Sequence, residues 1–436
     1  MGDHRSARQG SERADHLASR RLAQTPVDAA GIGRETGQDP QEDRTEAGLA
    51  ICPSDTLAAV RVARLAVLVA AVLVAIPALV VPGVALAAAS SSEPSVTTIS
   101  LTMAHAYKPH AAVGTTDDYH CTLVNPHVAE NSYIISSQFV PGSAEDHHAA
   151  LFLVPPSSAP SVERDNAGGK GWTCFGGPLP GTALNGLSAD PLLTFWAPGA
   201  GVDNFPKGTG VYLRAGSLVI MQVHYNLLVG DKSVKNSLIL RTVPASAPLL
   251  PLHLNLLLAP PNIPCPAGAS GPLCSRTAEL ANLGQRFGKT AVEEADGIAG
   301  LCGDDPSNPP VGDSTSCTLP IGQNGYIVRT YAHMHLLGVA FKMVLNPGTP
   351  QAQTILNVPN YDFHDQKSYN LSSPVPVTAG EPVQVTCTYN PALEQELPIL
   401  RKVPPHFVTW GDGSTDEMCI GLAWTSSVLP NSHAAI

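Results

Sequence analysis

The chain has few charged and few aromatic side chains: Asp, Glu, Lys and Arg make up 14% of its 436 residues, and Phe, Trp and Tyr make up 5%. Its formal net charge is −11, and it contains no long run of basic residues. An acidic chain without such runs is a poor ligand for nucleic acid or for an anionic membrane surface. We therefore expect a small molecule, and not a nucleic acid, as its partner.

Familiar catalytic signatures are missing as well. The sequence has no Gly-x-Ser-x-Gly elbow, no phosphate-binding loop, no dinucleotide-binding fingerprint and no His-Glu-x-x-His helix. None of its nine cysteines forms a Cys-x-x-Cys pair, which argues against a zinc ribbon. These absences direct attention to the histidines and methionines.

Residues 61–87 have the features of a secretory signal peptide. Arg61 and Arg64 precede an apolar run that ends in a small-x-small site at residues 85–87. We expect a secreted protein without stable membrane contact after cleavage, the alternative being an anchor formed by an uncleaved N-terminal helix. Residues 1–60 are polar and without periodicity, which predicts a disordered extension; the other hypothesis is that translation begins near residue 60.

Eight cysteines lie downstream of the apolar run, an even number that favours disulfide bonds in an exported domain. Cys387 and Cys419 flank the approach to Met418. Cys121 and Cys174 flank a strand-like segment that contains two adjacent histidines. Four cysteines remain, and the sequence alone leaves three ways of pairing them open: Cys265, Cys274, Cys302 and Cys317.

Short runs of Val, Ile, Leu, Thr and Tyr between turn residues predict strands rather than helices. A window at 277–299 is the exception, with apolar residues near helical spacing. This pattern is typical of all-β sandwiches with one helical insertion. The Pro-rich stretch 243–266 is the best candidate junction between an N-terminal domain at 88–248 and a C-terminal domain at 249–436, whose insertion spans 262–318. The predicted strands are Ser132–Val140, His148–Val154, Ser217–Leu228, Ser237–Val243, Tyr326–Tyr331, Val339–Leu345 and Val383–Tyr389.

Five histidines and one methionine lie in strand-like settings and divide into two groups of three on either side of the junction. Imidazole and thioether ligands suit copper much better than magnesium or calcium. Two copper ions on an exported chain indicate oxygen chemistry. The predicted ligands are His147, His148 and His224 in the first group and His333, His335 and Met418 in the second.

Each motif also has a simpler explanation. Residues i and i+2 of a strand share a face, so His333 and His335 can reach one metal ion, but they could equally face solvent. Adjacent His147 and His148 need a β-bulge to reach the same ion; otherwise one is a core residue and the other a surface residue. His224 and Met418 could be ordinary core residues.

The motifs occur in an order that resembles the copper type II, ascorbate-dependent monooxygenases, the family of peptidylglycine α-hydroxylating monooxygenase and dopamine β-monooxygenase. The similarity extends from about residue 118 to residue 424. It is carried by Tyr119-His120-Cys121, His147-His148, Trp196-Ala197-Pro198-Gly199, Pro206-Lys207-Gly208-Thr209-Gly210, Met221-Gln222-Val223-His224-Tyr225, His333-Met334-His335-Leu336-Leu337-Gly338 and Asp416-Glu417-Met418-Cys419.

The resemblance implies two jelly-roll-like β-sandwich domains packed side by side, each with one copper ion, and an open cleft between them. His147, His148 and His224 would bind the electron-donating copper. The other three ligands, His333, His335 and Met418, would bind the copper at which O2 reacts and would be the catalytic group. The family pattern also implies the disulfide bonds Cys121–Cys174 and Cys387–Cys419.

The reaction implied is hydroxylation of an activated C–H bond with O2, two copper ions and ascorbate as the reductant. The peptide-processing member holds a substrate carboxylate with an Arg, an Asn and a Tyr at positions where this chain has Tyr331, Ile420 and Leu422. We therefore expect a neutral or aromatic small molecule instead of a glycine-extended peptide. The predicted substrate cleft comprises Tyr331, Ile420, Leu422 and Gln222.

Two other functions use the same residues. A non-catalytic extracellular copper-binding protein would have every ligand in common with the monooxygenase. A zinc hydrolase with three histidines and a water would leave Met418 and one histidine group unexplained. The sequence does not indicate the oligomeric state.

Overall fold

A computed structural model describes residues 94–111, 114–178 and 192–430. The predicted N-terminal extension and signal peptide, residues 1–87, lie outside the described residues. The described residues all belong to one compact unit. None of the helices in the described ranges has the length and apolar character that a membrane crossing requires.

The first half of the described chain consists almost entirely of strands, with one short helix and one 3-10 turn. The helix α1 spans Ala159–Asp165, and the 3-10 turn spans Ala167–Gly169. The strands are β1 (Thr97–Thr102), β2 (Asp117–Val124), β3 (Ser132–Val140), β4 (Asp146–Val154), β5 (Trp172–Thr173), β6 (Leu192–Trp196), β7 (Asp203–Asn204), β8 (Thr209–Leu213), β9 (Leu218–Asn226), β10 (Ser237–Pro244) and β11 (Leu250–Pro251).

The second half adds ten strands and the helical insertion. The helices are α2 (Arg276–Phe287), α3 (Lys289–Leu301) and α4 (Leu393–Glu396), followed by a 3-10 turn at Leu400–Lys402. The strands are β12 (His253–Leu258), β13 (Asn262–Ile263), β14 (Ser314–Pro320), β15 (Gly325–His333), β16 (Gly338–Leu345), β17 (Gln353–Val358), β18 (Ser368–Val377), β19 (Pro382–Tyr389), β20 (Val408–Thr409) and β21 (Ile420–Ser426).

The strands form two pairs of larger sheets. In the first half, the sheet β1-β10-β3-β8-β11, with β7 beside β3, faces the sheet β5-β2-β9-β4-β6. In the second half, the sheet β12-β21-β15-β18 faces the sheet β14-β19-β16-β17, and β13 pairs with β20. The prediction of an all-β sandwich fold is therefore confirmed. The chain passes from the sheet that contains β11 to the sheet that contains β12 between Pro251 and His253. The division into two domains at residue 248 stays a prediction.

The alternation of side chains on β21 explains how the halves meet. On β21, Ala423 packs into the core of the second sandwich, whereas Leu422 and Trp424 on the opposite face belong to a core that also contains Leu151 and Met221 of the first half. One continuous apolar cluster therefore extends across both sandwiches. Burial of this shared face fixes the position of β15 and β21 against the first half.

All seven predicted strands are present, with ends that differ by at most a few residues. The predicted helical window is two helices instead of one. Ser275 caps the start of α2 by accepting a hydrogen bond from the backbone N–H of Ala278. Gly288, with φ of 87°, separates α2 from α3, a backbone conformation that residues with a Cβ rarely adopt.

Four disulfide bonds are present among the described residues. Cys121–Cys174 and Cys387–Cys419 are the two that the family resemblance implies. The four cysteines whose pairing the sequence left open form Cys265–Cys274 and Cys302–Cys317. The second of these bridges ties the end of α3 to β14, so the helical insertion is covalently fixed at its return to the sandwich.

Candidate metal centre

His224 lies on the face of β9 that points away from the core of the first sandwich. Its neighbours Val223 and Tyr225 belong to that core, so the alternation of the strand directs the imidazole of His224 to the other side. The phenol ring of Tyr119, on the adjacent strand β2, stacks on this imidazole with ring centroids 4.3 Å apart. The imidazole is fully buried.

A β-bulge brings the adjacent histidines His147 and His148 to the same place. In the pairing of β4 with β9, Asp146 lies opposite Tyr225 and His148 lies opposite His224, so His147 is the extra residue. Nδ1 of His147 lies 3.1 Å from Nδ1 of His224, and Nε2 of His148 lies 2.9 Å from that same atom. The bulge that the metal hypothesis required is therefore present, and three imidazole nitrogens converge.

Asp117 determines which nitrogen of His224 faces this group. Its Oδ1 accepts a hydrogen bond of 2.8 Å from Nε2 of His224 and two more from the backbone N–H and hydroxyl of Ser414. Burial alone would raise the pKa of Asp117, but the interactions with His224 and Ser414 lower the pKa below its usual value. A charged carboxylate at Nε2 places the proton there, which leaves the lone pair of Nδ1 free for a metal ion.

The second histidine group lies at the end of β15. Nδ1 of His333 donates to Oε1 of Gln366 over 2.8 Å, and Nδ1 of His335 donates to the backbone carbonyl of Asp416 over 3.0 Å. Neither of these oxygen atoms carries a proton, so each Nδ1 must be the protonated nitrogen. Nε2 of each ring therefore carries the free lone pair. Within the described ranges, both Nε2 atoms are buried and have no hydrogen-bond partner. Two such orphaned acceptors are costly unless a ligand such as a metal ion occupies them.

Met418 approaches the second group from the neighbouring strand. Ile420 of β21 pairs with His333 of β15, so the antiparallel segment that contains Met418 passes beside His335. Glu417 holds this arrangement, because its carboxylate accepts hydrogen bonds from the backbone N–H groups of His335, Leu337 and Met418. Met418 itself is 8% exposed. Its role as a metal ligand stays a prediction.

The two histidine groups share one residue. Donor atoms of His147, His148 and His224 lie within 4.8 Å of one another, and so do those of His148, His333 and His335. The resemblance implied an open cleft between two separate sites, but in the described chain the five imidazoles form one buried cluster. His148 belongs to both groups because its Nε2 lies 2.9 Å from Nδ1 of His224 and its ring lies 5.2 Å from the ring of His333.

Three aromatic rings enclose this cluster. Phe363 stacks on His147 with centroids 4.5 Å apart, and Phe195 stacks on His333 at 5.7 Å. Tyr119 covers His224 and donates its hydroxyl proton to the backbone carbonyl of Asp412. These rings exclude water from the imidazoles. The electrostatic interactions inside the cluster are therefore stronger than they would be in solvent.

Burial, followed by the neighbouring imidazoles, lowers the pKa of four of these histidines. The pKa falls to about 3 for His333 and to about 4 for His335. The pKa values of His147 and His148 lie well below the usual value for the same reasons. All four rings are consequently neutral near pH 7, which is the form that binds metal ions.

Three of the four predicted substrate residues lie on one face of one sheet, where Tyr331 of β15 pairs with Leu422 of β21 and Ile420 pairs with His333. Their role in binding a substrate stays a prediction. Tyr331 lines a cavity beside His333. Ile420 and Leu422 share its face of the sheet but pack into the continuous core. Gln222 lies on β9, where its side chain donates to the backbone carbonyl of Cys174.

Sequence reasoning did not identify the residues that orient the histidines. Asp117 is separated by only one residue from the Tyr119-His120-Cys121 motif, so its proximity was a usable signal. No comparable sequence signal indicated Gln366 or the backbone carbonyl of Asp416, because each of these contacts joins segments that are distant in the chain. These partners supply much of what makes an imidazole a good metal ligand.

The donor set fits copper. Imidazole nitrogens accept copper in both oxidation states, and a thioether such as that of Met418 favours Cu(I). Calcium and magnesium prefer oxygen ligands, which this cluster of free donor atoms does not offer. The buried lone pairs on Nε2 of His333 and His335 are the structural observation that indicates a bound ion.

Comparison with known families agrees with this assignment for the second half. Residues 312–423 match the family described as copper type II ascorbate-dependent monooxygenase, C-terminal domain. The match confirms the resemblance drawn from the motifs, and it contains His333, His335 and Met418. The first histidine group lies outside the matched residues. A comparison with curated proteins found no match.

Three of the solved structures that match this chain show only weak similarity to it. The major capsid protein P2 from bacteriophage PM2 is 8% identical, with 76% of this chain and 97% of that chain covered and a TM-score of 0.30. The structure of broad bean stain virus is 8% identical, with 79% of this chain and 94% of that chain covered and a TM-score of 0.26. Oxalate decarboxylase from Bacillus subtilis at pH 4.6 is 7% identical, with 78% of each chain covered and a TM-score of 0.14. These values are too low to support any argument about this chain.

Proposed function

We propose that this protein is a copper monooxygenase that hydroxylates an activated C–H bond of a small organic substrate, with O2 and with ascorbate or a similar reductant. The observation that carries the proposal is the pair of buried, unpartnered Nε2 atoms of His333 and His335 within the described chain, inside a segment that matches the C-terminal domain of that family. A hydrolytic zinc site uses three histidines and a water. Such a site would leave the other two imidazoles of the described cluster, and the nearby Met418, without a role.

His147, His148 and His224 would hold one copper ion, and His333, His335 and Met418 would hold the other. Copper in these positions supplies one-electron steps and reaction with O2, which amino-acid side chains cannot provide. The chain itself orients the ligands. Asp117 keeps the proton of His224 on Nε2, and Gln366 keeps the proton of His333 on Nδ1.

The protein also keeps water away from the ligands. Phe195 and Phe363 cover the cluster from the sides on which His333 and His147 lie. Exclusion of water prevents loss of reactive species to solvent. No acid–base pair is needed for this chemistry. The four disulfide bonds support export, and we propose a secreted enzyme whose partner is a small molecule and not a nucleic acid.

The burial of the cluster also supports a second function, which is non-catalytic copper binding outside the cell. All five histidines are at most 8% exposed, and an enclosed site would retain copper without turning over a substrate. The ligands are the same in both proposals. Consumption of O2 that depends on a substrate separates them.

The first test is the copper content of the exported, disulfide-bonded protein, measured by elemental analysis after loading. The proposal predicts about two copper ions per chain, and about one in His333→Ala or Met418→Ala protein. His253→Ala is the matched control, because His253 is an exposed histidine on β12. Zinc bound in preference to copper, or no tightly bound metal, would rule out both functions.

The second test follows O2 and ascorbate consumption by the copper-loaded protein with a panel of small organic compounds. Consumption that requires one of these compounds, and yields its alcohol, supports the monooxygenase. Tight copper binding with no compound-dependent consumption would favour the non-catalytic function.

A further inference from the structure

A cavity of about 230 Å³ lies beside the histidine cluster, between the two sandwiches. It is bounded by β6, by the loop at 199–203 and by residues 365–368. Its outer rim includes Val202, which is 51% exposed, so the cavity reaches the surface. Its apolar wall is formed by Phe139, Leu151, Phe195, Trp196 and Tyr331.

One polar atom in this cavity has no partner. The hydroxyl of Ser137, on β3, lines the cavity and is buried, and no hydrogen-bond partner for it exists among the described residues. Ser137 is 1% exposed. A buried hydroxyl without a partner costs free energy, which a bound molecule with a hydroxyl or carbonyl group would recover.

The charged groups that line the cavity are already paired. Asp203 accepts hydrogen bonds from Arg329 and from the hydroxyl of Thr194. Lys367 forms an ion pair of 2.8 Å with Asp365 at the rim. A charged molecule would therefore lose its hydration here without gaining an unpaired counter-charge from the described residues. The cavity selects neutral molecules.

The cavity is connected to the second histidine group through Gln366 and Phe195. Gln366 lines the cavity and accepts hydrogen bonds from both Tyr331 and His333. Phe195 lines the cavity and also stacks on His333. A molecule in the cavity would therefore contact the same phenyl ring that stacks on His333.

We propose that this cavity binds the substrate, and that the substrate is a neutral molecule with a single aromatic ring and one hydroxyl or carbonyl group that pairs with Ser137. This inference rests on the proposed monooxygenase function. A cavity of roughly 150 Å³ accepts benzene, and drug-sized ligands need roughly 300 Å³ or more. The observed volume fits one ring with a short polar substituent.

The test measures binding of three compounds of similar size to the full-length, disulfide-bonded protein by ligand-observed NMR. The compounds are 2-phenylethanol, which is neutral and has a hydroxyl group, ethylbenzene, which lacks that group, and phenylacetate, which is anionic. We expect 2-phenylethanol to bind at least tenfold more tightly than phenylacetate. Equal affinity for these two would overturn the proposal.

Two serine variants test the role of the hydroxyl. Ser137→Ala should weaken 2-phenylethanol about fivefold, the loss expected for one hydrogen bond, and should leave ethylbenzene unchanged. Ser136→Ala is the matched control, because Ser136 is a buried neighbour on the same strand whose side chain points to the other face. Circular dichroism confirms that both variants fold. An unchanged affinity of Ser137→Ala protein for 2-phenylethanol would contradict the assignment of the hydroxyl.

The metal-loaded protein connects the cavity to the proposed function. Protons of bound 2-phenylethanol should relax faster in the Cu(II)-loaded protein than in the Zn(II)-loaded protein, because the cavity adjoins the ligands. If the protein binds copper but 2-phenylethanol does not bind, the substrate inference fails and the proposed function stands. If 2-phenylethanol binds but copper does not load, the proposed function fails, and the cavity is left as a ligand site only.

Discussion

The imidazole of His148, from the first sandwich, lies 5.2 Å from the imidazole of His333, from the second, measured between ring centroids. His148 also lies 2.9 Å from His224 through its Nε2 atom. A single side chain therefore belongs to both histidine groups. In this structure the two predicted copper sites are not independent.

Loss of His148 should consequently affect both groups. We expect His148→Ala protein to lose most of its copper, whereas His147→Ala protein should lose about one of two copper ions. Elemental analysis after gel filtration gives the stoichiometry, and the Cu(II) electron paramagnetic resonance spectrum shows which environment persists. The same loss of one copper ion in both variants would mean that His148 serves only the first group.

Much of the fold followed from local patterns. The run at Ser132–Val140 predicted a strand with the observed ends, because it is of strand length, contains Tyr, Ile and Val, and is bounded by turn residues. The helical window was correct in type but was divided at Gly288, whose φ of 87° ends α2 before α3 begins. The jelly-roll topology that the resemblance implied is not established by the sheet order.

The candidate site was predictable only in part. The His-x-His spacing at 333–335 predicted two imidazoles on one face, and both Nε2 atoms do face the buried cluster. The approach of His148 to His333 could not be predicted, since it depends on how the sandwiches pack. The same is true of the bond from Ser414 to Asp117, which joins residues 297 positions apart. Local spacing identifies donor types, and tertiary packing determines which donors meet.

Asp117 offers a test of the tautomer argument. In Asp117→Asn protein the amide can donate to Nε2 of His224, which would move the imidazole proton to Nδ1 and remove the free lone pair from the first group. We expect copper affinity at that group to fall about 10–100-fold, the usual effect of losing such a partner. A competition titration with a copper chelator measures the affinity.

Ser414→Ala is the matched control for this substitution. It removes one hydrogen bond to Asp117 but keeps the carboxylate that faces His224. Copper affinity in that variant should change by much less than in Asp117→Asn protein. Equal losses in the two variants would show that general loosening of the segment at 412–417, and not the tautomer of His224, explains the effect.

Arg286 connects the helical insertion to the second histidine group. Its guanidinium donates two hydrogen bonds to Asp416, of 2.6 and 3.0 Å, and one to Glu279. The backbone carbonyl of Asp416 in turn accepts from His335. Arg286→Met leaves two buried carboxylates without a counter-charge and should reduce the free energy of unfolding by about 3–5 kcal/mol. Urea denaturation followed by fluorescence measures this change.

A second substitution distinguishes charge from packing at Arg286. Adding Glu279→Gln to Arg286→Met removes one of the stranded carboxylates and should restore part of the lost stability. Lys289→Met is the control, since Lys289 is an exposed cation at the start of α3. If the double variant were no more stable than Arg286→Met alone, lost packing would explain the destabilisation.

Glu279 should make the stability of the protein depend on pH. Burial, followed by the charge of Asp416, raises the pKa of Glu279 from 4.5 to about 7, because the single charge of Arg286 faces two carboxylates. Between these pH values the folded protein holds a proton that the unfolded chain has released. The stabilisation from this proton is complete below pH 4.5 and is lost as the pH rises through 7.

Glu279→Gln removes this titration. We therefore expect wild-type protein to lose stability relative to Glu279→Gln protein as the pH rises from 5 to 8, by roughly 2–3 kcal/mol at most. Urea denaturation of both proteins at several pH values in this range gives the difference. Glu293→Gln, an exposed position on α3, should follow the wild-type curve. Parallel curves for wild-type and Glu279→Gln protein would mean that Glu279 is already ionised at pH 5, with Arg286 stabilising both carboxylates.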